Sequence, residues 1–373
     1  MGFLEKIVEK ENAFLNKVQQ IEKKLPLYIF GAASGGENVA LLLEKHGVHF
    51  DGFVVNKRYY ENAPACDRWG GVLCLEDVLE SADKINLIVA FKGFDESLLV
   101  SQKIENLLNY DCFHGLASTG GTSNFMPYSW LLEHEAELQR TYDLLQDELS
   151  RKCFVAFINQ KVSMKYGYLT QVKTQHQYFD EKLVHFTDKE VFVDCGGYDG
   201  DTAQAFREAL KRQGISMYKK IISFEPDPKQ FKKMQELGLE RHHCVQKGVS
   251  DKEGVLYFSS ASTSGRIKDN GDIKIEVDTI DHVCEDSDVT MIKMDIEGSE
   301  LSALHGAENV IKRCHPLLAI CVYHKKEDLY EIPQYIKKLH SGYKLYLRQY
   351  KDASHELVLY AVPDNRAGEG KGE

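Results

Sequence analysis

The sequence predicts an α/β protein with a doubly wound, mostly parallel sheet in its second half and a smaller α/β domain before it. Two stretches carry this prediction. Residues 191–202, VFVDCGGYDGDT, have the pattern of a buried strand, a glycine-rich turn and the start of a helix. Residues 289–300, VTMIKMDIEGSE, again place acids and a glycine after an apolar strand. A strand at 220–227 follows the first at a distance that suits one βαβ unit.

The first glycine-rich turn is predicted to bind a ligand. Asp194 ends its strand at the edge where open α/β sheets bind ligands, and Gly196 and Gly197 would let the backbone pass close to one. Asp199 and Asp201 add carboxylates, and no GK[ST] follows, so a pyrophosphate fits this turn poorly. Carboxylates suit a ligand that carries a cation and hydroxyls, such as the amino group and ribose of S-adenosylmethionine. The alternative is an ordinary turn with solvated acids.

The next two strands add polar groups at the same edge. Glu225, which ends the strand at 220–227, can accept two hydrogen bonds from ribose hydroxyls. NAD-dependent enzymes share this feature, so it does not identify the cofactor. The third strand, near 242–248, leads to Ser250 and Asp251, which could meet an adenine amino group or form a plain turn.

Acidic side chains follow the fourth strand, and a histidine follows the fifth. Asp295 and Glu297 are two residues apart, so an extended chain would place them on one face, and the neighbouring strand would bring Asp194 opposite. Such acids could orient a substrate hydroxyl or accept its proton, hold a divalent cation, or only favour a helix N-terminus. His324, after the strand at 317–323, could also take a hydroxyl proton, although a histidine there is often only a satisfied polar residue.

Taken together, these motifs resemble a known family. VFVDCGGYDGDT, SFEPD, GVSD, IKIEVDTID and IKMDIEGSE occur in an order and spacing similar to the FkbM family of S-adenosylmethionine-dependent methyltransferases, over residues 177–363. The resemblance implies a class I methyltransferase sheet with an antiparallel C-terminal hairpin, and O-methylation, mostly of sugar or related hydroxyls. It implies S-adenosyl-L-methionine as the cofactor, with Asp194, Gly196 and Gly197 in the cofactor loop and Glu225 at the ribose. The full set of predicted cofactor-binding residues is Asp194, Gly196, Gly197, Asp199, Thr202, Glu225, Asp227, Ser250 and Asp251. The implied catalytic residues are Asp295, His324 and Glu297; no metal ligand is assigned, although a metal-dependent variant stays open.

The first α/β domain carries a second glycine fingerprint. A strand at 27–30 is followed by GAASGG at 31–36, close to GxGxxG, and by a helix through residue 45, which is typical of a Rossmann-like unit. The position of the expected acid after the second strand holds Asn56, which argues against NAD binding. Lys57 and Arg58 could instead meet a phosphate or a nucleotide-sugar. The alternative is a scaffold domain that binds nothing.

Residue patterns divide the chain into five segments. They are an N-terminal amphipathic helix within 1–25, a Rossmann-like α/β domain at 26–118 with a helix near 96–108, a helical connector at 119–175, the methyltransferase domain at 176–363 and a disordered tail at 364–373. Tyr178 could cover the cofactor or belong to the core. Ser264 and Arg266, on a polar loop, are candidates for the acceptor side.

Composition limits the partners. The 373 residues carry a net charge of −11, which argues against nucleic acid or an anionic membrane surface. No apolar run reaches the ~18 residues of a membrane span, no secretory signal is recognisable, and the nine cysteines form no CxxC pair, so a cytoplasmic protein with reduced thiols is expected. We therefore predict an S-adenosylmethionine-dependent O-methyltransferase that acts on a hydroxyl of a small sugar or nucleotide-sugar and can form a homo-oligomer. The alternatives are an NAD-dependent enzyme that uses the first domain, and a catalytically silent cofactor-binding or assembly module.

Overall fold

Two compact units make up the chain, in a computed structural model that describes residues 2–21, 25–64, 66–91, 101–109, 125–165, 167–258, 273–351 and 355–366. The small unit comprises Ile7–Trp130 and Ile158–Gly167. The large unit comprises Met1–Lys6, Leu131–Phe157 and Tyr168–Glu373. Helical segments from the middle of the chain thus contribute to both units, and the segment borders at residues 25, 118 and 175 remain predictions.

A five-stranded parallel sheet forms the centre of the small unit. Its strands are β1 (Leu27–Phe30), β2 (Gly52–Val55), β3 (Val72–Cys74), β4 (Ile85–Val89) and β5 (Ile104–Asn109). They lie in the order β3-β2-β1-β4-β5, and every neighbouring pair is parallel. The helices are α1 (Ala13–Ile21), α2 (Ser34–Lys45), α3 (Lys57–Tyr60) and α4 (Leu75–Ser81), with a 3-10 turn at Asp67–Trp69.

The glycine fingerprint of the small unit serves its own packing. A Cβ on Gly35 would lie 2.1 Å from the carbonyl oxygen of Ala90. A Cβ on Gly36 would lie 2.0 Å from the carbonyl oxygen of Gly31. Only glycine permits so close an approach, so the fingerprint lets α2 begin directly against the end of the sheet.

Two helices are predicted wrongly. The N-terminal segment is not one helix, because a 3-10 turn at Leu4–Lys6 and residues 7–12, which form neither helix nor strand, precede α1. The side chain of Asn12 accepts a hydrogen bond from the Leu15 N–H (3.0 Å), and this cap fixes where α1 begins. The described part of the range 96–108 holds β5 and no helix. Leu107 and Leu108 pack against two different apolar clusters, which is the alternation of a strand.

Four helices follow in the described residues of the predicted connector. They are α5 (Tyr128–Glu133), α6 (Glu135–Leu144), α7 (Glu148–Ser163) and α8 (Gly167–Thr170).

A seven-stranded sheet forms the centre of the large unit. The strands of this unit are β6 (Val191–Cys195), β7 (Lys220–Phe224), β8 (His242–Val245), β9 (Gly248–Val249), β10 (Gly254–Phe258), β11 (Ile273–Asp278), β12 (Met291–Met294), β13 (Leu317–Cys321), β14 (Lys344–Gln349) and β15 (Leu357–Val362). The main sheet has the order β14-β15-β13-β12-β6-β7-β8, and a small sheet has the order β10-β11-β9. In the main sheet β15 runs antiparallel to the other six strands, which all run in one direction. The predicted fold class, a mostly parallel doubly wound sheet with an antiparallel C-terminal hairpin, is confirmed.

Helices and aromatic side chains complete the large unit. Its later helices are α9 (Asp201–Arg212), α10 (Pro228–Glu236), α11 (Ile280–Val283), α12 (Glu300–His305), α13 (Glu308–Cys314) and α14 (Asp328–Leu339). Phe192 of β6 and Phe206 of α9 stack with ring centroids 4.7 Å apart, inside a core that also buries Phe179. A 3-10 turn at Asp364–Arg366 follows β15, and Arg366 pairs with Glu190 at 2.9 Å. Ordered structure therefore extends past the predicted start of the tail at residue 364.

Candidate functional site

The central strands β6 and β12 end side by side in the main sheet. Their register pairs Asp194 with Lys293 and Cys195 with Met294. The chain leaves β6 towards β7 on one side, and β12 towards β13 on the other. Such a reversal of strand order opens a crevice at the carboxyl ends of the strands. The predicted site residues lie at or near these strand ends, except Ser250 and Asp251.

Close backbone packing shapes the glycine loop after β6. The N–H groups of Gly196 and Gly197 both donate to the carbonyl oxygen of Phe224, at 3.1 and 2.9 Å. Gly196 has φ +82°, and a Cβ there would lie 2.1 Å from the carbonyl oxygen of Asp295. A Cβ on Gly197 would lie 2.9 Å from Sδ of Met234. These glycines are therefore required where the loop meets the ends of β7 and β12, a reason that differs from the predicted approach to a ligand.

Asp194 is fully buried beside a buried lysine. Nζ of Lys293 lies 3.0 Å from Oδ1 of Asp194 and donates to the carbonyl oxygen of Gly196 at 2.7 Å. Burial works against a charge on this lysine, but the Asp194 carboxylate raises the pKa of Lys293 above its ordinary value. Apart from the ion pair with Lys293, neither carboxylate oxygen of Asp194 has a hydrogen-bond partner in the described structure. The loop thus holds a buried carboxylate with unused acceptor capacity.

Glu225 supports the glycine loop from β7. Its Oε2 accepts a hydrogen bond from the Tyr198 N–H (2.9 Å), and its Oε1 accepts one from the Asp227 N–H (2.8 Å). Burial raises the pKa of Glu225 to about 7, against the effect of these two N–H donors. A carboxylate has about four acceptor positions, so two remain for other donors. The placement suits the predicted contact with two ribose hydroxyls.

Four of the remaining predicted cofactor residues already have partners within the chain: Thr202, Asp227, Ser250 and Asp251. Oδ1 of Asp227 caps α10 by accepting from the N–H groups of Lys229 and Gln230, at 2.9 and 2.8 Å. Ser250 and Asp251 lie in a turn after β9, where Oγ of Ser250 donates to Asp251 at 3.1 Å. Asp199 and Thr202 lie in the loop after β6 and in the first turn of α9, with Thr202 buried. The position of Ser250 and Asp251 is compatible with both predictions, contact with an adenine amino group or a plain turn.

Two tyrosines hold Asp295 just past the end of β12. Tyr178 donates to Oδ2 at 2.8 Å, and Tyr323 donates to Oδ1 at 2.9 Å. Burial acts to raise the pKa of Asp295, but Lys293 and His324 hold it below its ordinary value. A quarter of the Asp295 side chain is exposed, so a fixed carboxylate faces the crevice.

Glu297 reaches the site by a route that differs from the prediction. The strand ends at Met294, and Glu297 has a left-handed backbone with φ +56°, so Asp295 and Glu297 do not share the face of an extended strand. The glycine that follows, Gly298, also has a positive φ of +94° and completes the turn into α12. Oε2 of Glu297 nevertheless lies 3.7 Å from Nε2 of His324. The prediction of a shared face is wrong, whereas the two acids do flank one imidazole.

His324 lies within a group of carboxylates. Its Nε2 is 3.5 Å from Oδ1 of Asp295, and its Nδ1 is 2.9 Å from Oε1 of the fully buried Glu300. Burial acts to lower the pKa of His324, but Glu300 and the two other carboxylates raise it to about 9. At neutral pH the ring is therefore charged, and it can accept a proton only after giving one up.

Sequence reasoning missed three residues of this site. Lys293 stands in the apolar run of β12, and a lysine inside such a run was the available signal. Glu300 was read only as the start of a helix, and Tyr323 only as the end of a strand. The roles of these three residues depend on which strands become neighbours, and a local sequence pattern does not indicate that. Ser264 and Arg266 lie outside the described residues.

The family model described as the methyltransferase FkbM domain matches residues 194–345, the stretch that contains the crevice and its acids. Residues 194–345 form an FkbM methyltransferase domain. The predicted resemblance to FkbM methyltransferases is confirmed over this stretch, which is 152 of the 373 residues. Comparison with curated protein sequences gave no match.

Solved structures agree with the fold of the FkbM domain and of the chain around it. Methyltransferase FkbM from Methylobacillus flagellatus KT is similar over 96% of this chain and 98% of its own, with a TM-score of 0.73 and 21% sequence identity. At this identity the likeness concerns the fold. An rRNA methylase from Streptococcus thermophilus is 15% identical and has a TM-score of 0.33, over 50% of this chain and 93% of its own. That value is too low to bear on function.

Two further observations concern the predicted phosphate contact of the first domain and the membrane. Lys57 and Arg58 lie on the exposed helix α3, where the N–H of Lys57 donates to Glu76 at 2.8 Å. Whether they meet a phosphate stays a prediction. Across the described residues, no helix combines the length and the apolar character needed to cross a bilayer.

Proposed function

We propose that the chain is an S-adenosylmethionine-dependent O-methyltransferase that acts on a hydroxyl of a sugar or a sugar-containing metabolite. The observation that carries this proposal is the position of Asp295. Its carboxylate is fixed by two tyrosines and lies 3.5 Å from Nε2 of His324, while its own carbonyl oxygen packs against Gly196 of the glycine loop. A group that can orient a hydroxyl is thus built directly onto the loop predicted to hold the methyl donor.

The residues present suit an adenosyl cofactor. Glu225 is buried and keeps acceptor positions for the ribose hydroxyls, and both oxygens of Asp194 lack a hydrogen-bond partner in the described structure. Carboxylates outnumber cationic side chains around the crevice, which favours a ligand with a positive charge. A nucleotide with a pyrophosphate would meet repulsion from the same carboxylates.

Positioning is the main task of the protein in this reaction. When bound, the sulfonium of the cofactor supplies an already activated methyl group. The residues of the chain then have to hold a hydroxyl in line with it, and correct orientation alone contributes a large part of the rate. Asp295 and His324 lie close enough together for one hydroxyl to contact both. The Asp295 carboxylate can take its proton, whereas His324, charged at neutral pH, can do so only after releasing its own. Glu297, at the exposed rim, would orient the acceptor.

The class of acceptor rests on the family resemblance of the motifs. A sugar presents several vicinal hydroxyls, and the crevice offers two carboxylates that can accept hydrogen bonds from them, Asp295 and Glu297. The hydroxyls of Tyr178 and Tyr323 donate to Asp295 and fix its position. This arrangement supports a small polyhydroxylated acceptor over an apolar one. A nucleotide-sugar remains within the proposal.

Calorimetry with S-adenosylmethionine tests the cofactor part of the proposal. We expect the wild-type chain to bind it, and Glu225→Gln and Asp194→Asn to weaken binding at least tenfold. Unchanged affinity in both variants would remove these residues from the site. The matched control is Glu236→Gln. Glu236 is an exposed carboxylate on α10 that lies 3.8 Å from Lys232, and its variant should bind like the wild type.

A panel of acceptors tests the reaction. Release of S-adenosylhomocysteine is measured with free sugars, nucleotide-sugars and simple alcohols, and we expect turnover with members of the first two groups. Cofactor binding without turnover on any acceptor would favour the silent module. A fluorescence titration with NADH tests the other alternative, and binding of NADH without binding of S-adenosylmethionine would overturn the proposal.

A further inference from the structure

We propose that Asp295, Glu300 and His324 bind a divalent cation beside the acceptor position. One potential ligand atom from each residue lies within 4.8 Å of the other two. The three residues come from the end of β12, the first turn of α12 and the loop after β13, so three separate segments of the FkbM domain converge on one point.

The contacts within this group are close but poorly formed as hydrogen bonds. Nδ1 of His324 lies 2.9 Å from Oε1 of Glu300, and Nε2 lies 3.5 Å from Oδ1 of Asp295. Neither ring nitrogen makes a hydrogen bond in the described structure, although the side chain is only 5% exposed. Ligands of a metal ion show this relation, because they point at the ion and not at one another.

A buried oxygen supplies the second observation. Glu300 is fully buried, its Oε1 accepts from the Ile296 N–H at 2.9 Å, and its Oε2 has no hydrogen-bond partner in the described structure. Nearly all buried polar atoms in native proteins are paired, and a bound ion is one of the few partners that would account for such an oxygen. Oε2 of Glu300 is therefore available as a ligand.

The local charges also call for a cation. Asp295, Glu297 and Glu300 surround a single imidazole. Lys293 compensates them only in part: it lowers the pKa of Asp295, but its Nζ contacts Asp194 and the carbonyl oxygens of Cys195 and Gly196. Buried carboxylates are normally paired or coordinate a metal, since an uncompensated charge is costly to bury.

The donor set indicates which ion fits. Two carboxylates with one imidazole suit a first-row divalent ion such as Mn²⁺, for which oxygen ligands and one nitrogen are acceptable. Three protein ligands leave positions open, as in catalytic metal sites. One ring nitrogen of His324 would bind the ion, which requires that nitrogen to be free of its proton.

The cation would have a role in catalysis, and this role rests on the proposed function. A hydroxyl oxygen of the acceptor would occupy an open position, and the ion would lower the pKa of that hydroxyl. The O–H bond then breaks, its electron pair stays on oxygen, and the proton passes to solvent at the exposed rim near Glu297. Cation binding itself does not depend on methyl transfer.

The chain contains a matched control of the same composition. Glu253, Asp278 and His282 also bring one imidazole and two carboxylates together. There, however, Lys247 pairs with Asp278 at 2.7 Å, and Nδ1 of the exposed His282 lies 2.9 Å from the same carboxylate. Because a lysine already neutralises the buried acid of this second group, we do not expect it to bind the ion.

Mn²⁺ titration of the full chain tests the inference, without cofactor or acceptor present. Bound Mn²⁺ is followed by loss of the free-ion signal in electron paramagnetic resonance. We expect one site in the wild type, at least tenfold weaker binding in His324→Gln and in Glu300→Gln, and binding within twofold of the wild type in His282→Gln.

Two results would overturn the inference. One is no Mn²⁺ binding by the wild type, and the other is a loss of Mn²⁺ affinity in His282→Gln equal to that in His324→Gln. Circular dichroism and calorimetry with S-adenosylmethionine show whether each variant is folded. Should Glu300→Gln misfold, His324→Gln decides, since its side chain lies nearer the surface of the crevice. A chain that binds Mn²⁺ but not S-adenosylmethionine would keep this inference and reject the proposed function, so the two failures are distinguishable.

Discussion

Lys293 and Asp194 are Cα partners on the two central strands of the main sheet, and their charged groups lie 3.0 Å apart with both side chains buried. The lysine also donates to the backbone of the glycine loop through the carbonyl oxygen of Gly196. One side chain therefore compensates a buried acid and fixes the loop that ends beside it. The stability of the fold and the shape of the crevice are coupled at this position.

Removal of the lysine charge should strongly destabilise the large unit. In Lys293→Met, Asp194 is left as an unpaired buried carboxylate, which costs about 3–5 kcal/mol. Urea unfolding monitored by circular dichroism measures this loss. Lys312→Met is the control, because Lys312 forms its ion pair with Glu308 on the surface of α13 and should change stability by less than about 1 kcal/mol. Equal losses in the two variants would contradict the role given to Lys293.

Cofactor affinity should depend on pH through Glu225. Its pKa of about 7 is raised by burial, and ribose hydroxyls bind the ionised form better. The dissociation constant for S-adenosylmethionine should therefore rise about tenfold between pH 8 and pH 6, as the carboxylate becomes protonated. Glu225→Gln should bind weakly with little change over this range, and Glu236→Gln should follow the wild type. A flat wild-type profile would show that Glu225 does not hold the ribose.

Glu225 also makes the stability of the folded chain depend on pH. Cofactor affinity should rise with pH, whereas the contribution of Glu225 to stability should fall. Its folded pKa of about 7 lies above the ordinary value of 4.5, so the folded protein prefers the protonated form. The stability it contributes is complete below pH 4.5 and is lost as pH rises through 7. The melting temperature of Glu225→Gln, relative to wild type, should therefore increase between pH 5.5 and pH 8. A constant difference across this range would contradict the raised pKa.

Gly196 should tolerate no side chain. Alanine there combines an unfavourable φ of +82° with a Cβ 2.1 Å from the Asp295 carbonyl oxygen. Strain and overpacking together should cost about 3 kcal/mol and displace Asp295 from its tyrosines. Gly254→Ala is the control, since no atom lies within 4 Å of a Cβ at that position. Thermal unfolding measures the stability of both variants, and calorimetry measures their affinity for S-adenosylmethionine. Equal values for the two variants would contradict the requirement for glycine at position 196.

Tyr323 should act on turnover more than on cofactor binding. Tyr323→Phe removes one of the two hydroxyls that orient Asp295, and a hydrogen bond to a charged group is worth about 1.5–3 kcal/mol. We expect kcat to fall about tenfold, with cofactor affinity changed less than about twofold. Tyr335→Phe, which loses only a long contact to Glu308 (3.3 Å), should keep full turnover. Loss of cofactor affinity in Tyr323→Phe would place this tyrosine in the donor site instead.

Much of the large unit could be predicted because its strands are short apolar runs with glycine or acid at one end. Residues 191–202 and 289–300 show this pattern, and a strand forms in each, although β12 ends at Met294, before the acids. The strand order then follows from the fold class. The helix expected near 96–108 failed because Leu107 and Leu108 fit a helical stripe as well as the two faces of β5.

The site was only partly predictable, because its chemistry depends on contacts between distant segments. Asp295, Glu297 and His324 were recognised as polar groups near strand ends. The left-handed backbone of Glu297 and the hydroxyl that Tyr178 contributes from before β6 have no local signature. The charge on His324 likewise results from Glu300, whose contact with it arises only after α12 packs beside β13.

The buried pair at the centre of the sheet also constrains how the chain acquires its fold. Until Lys293 is available, β6 would have to bury the Asp194 carboxylate alone, so a nascent chain that stops short of β12 gains little by closing its sheet. Strand β12 is therefore expected to join before β6 and β7 become protected from solvent exchange. For the same reason, the cofactor side of the crevice, on β6 and β7, and the acceptor side, on β12 and β13, should fold together during synthesis. Neither side alone should persist as a stable folding intermediate.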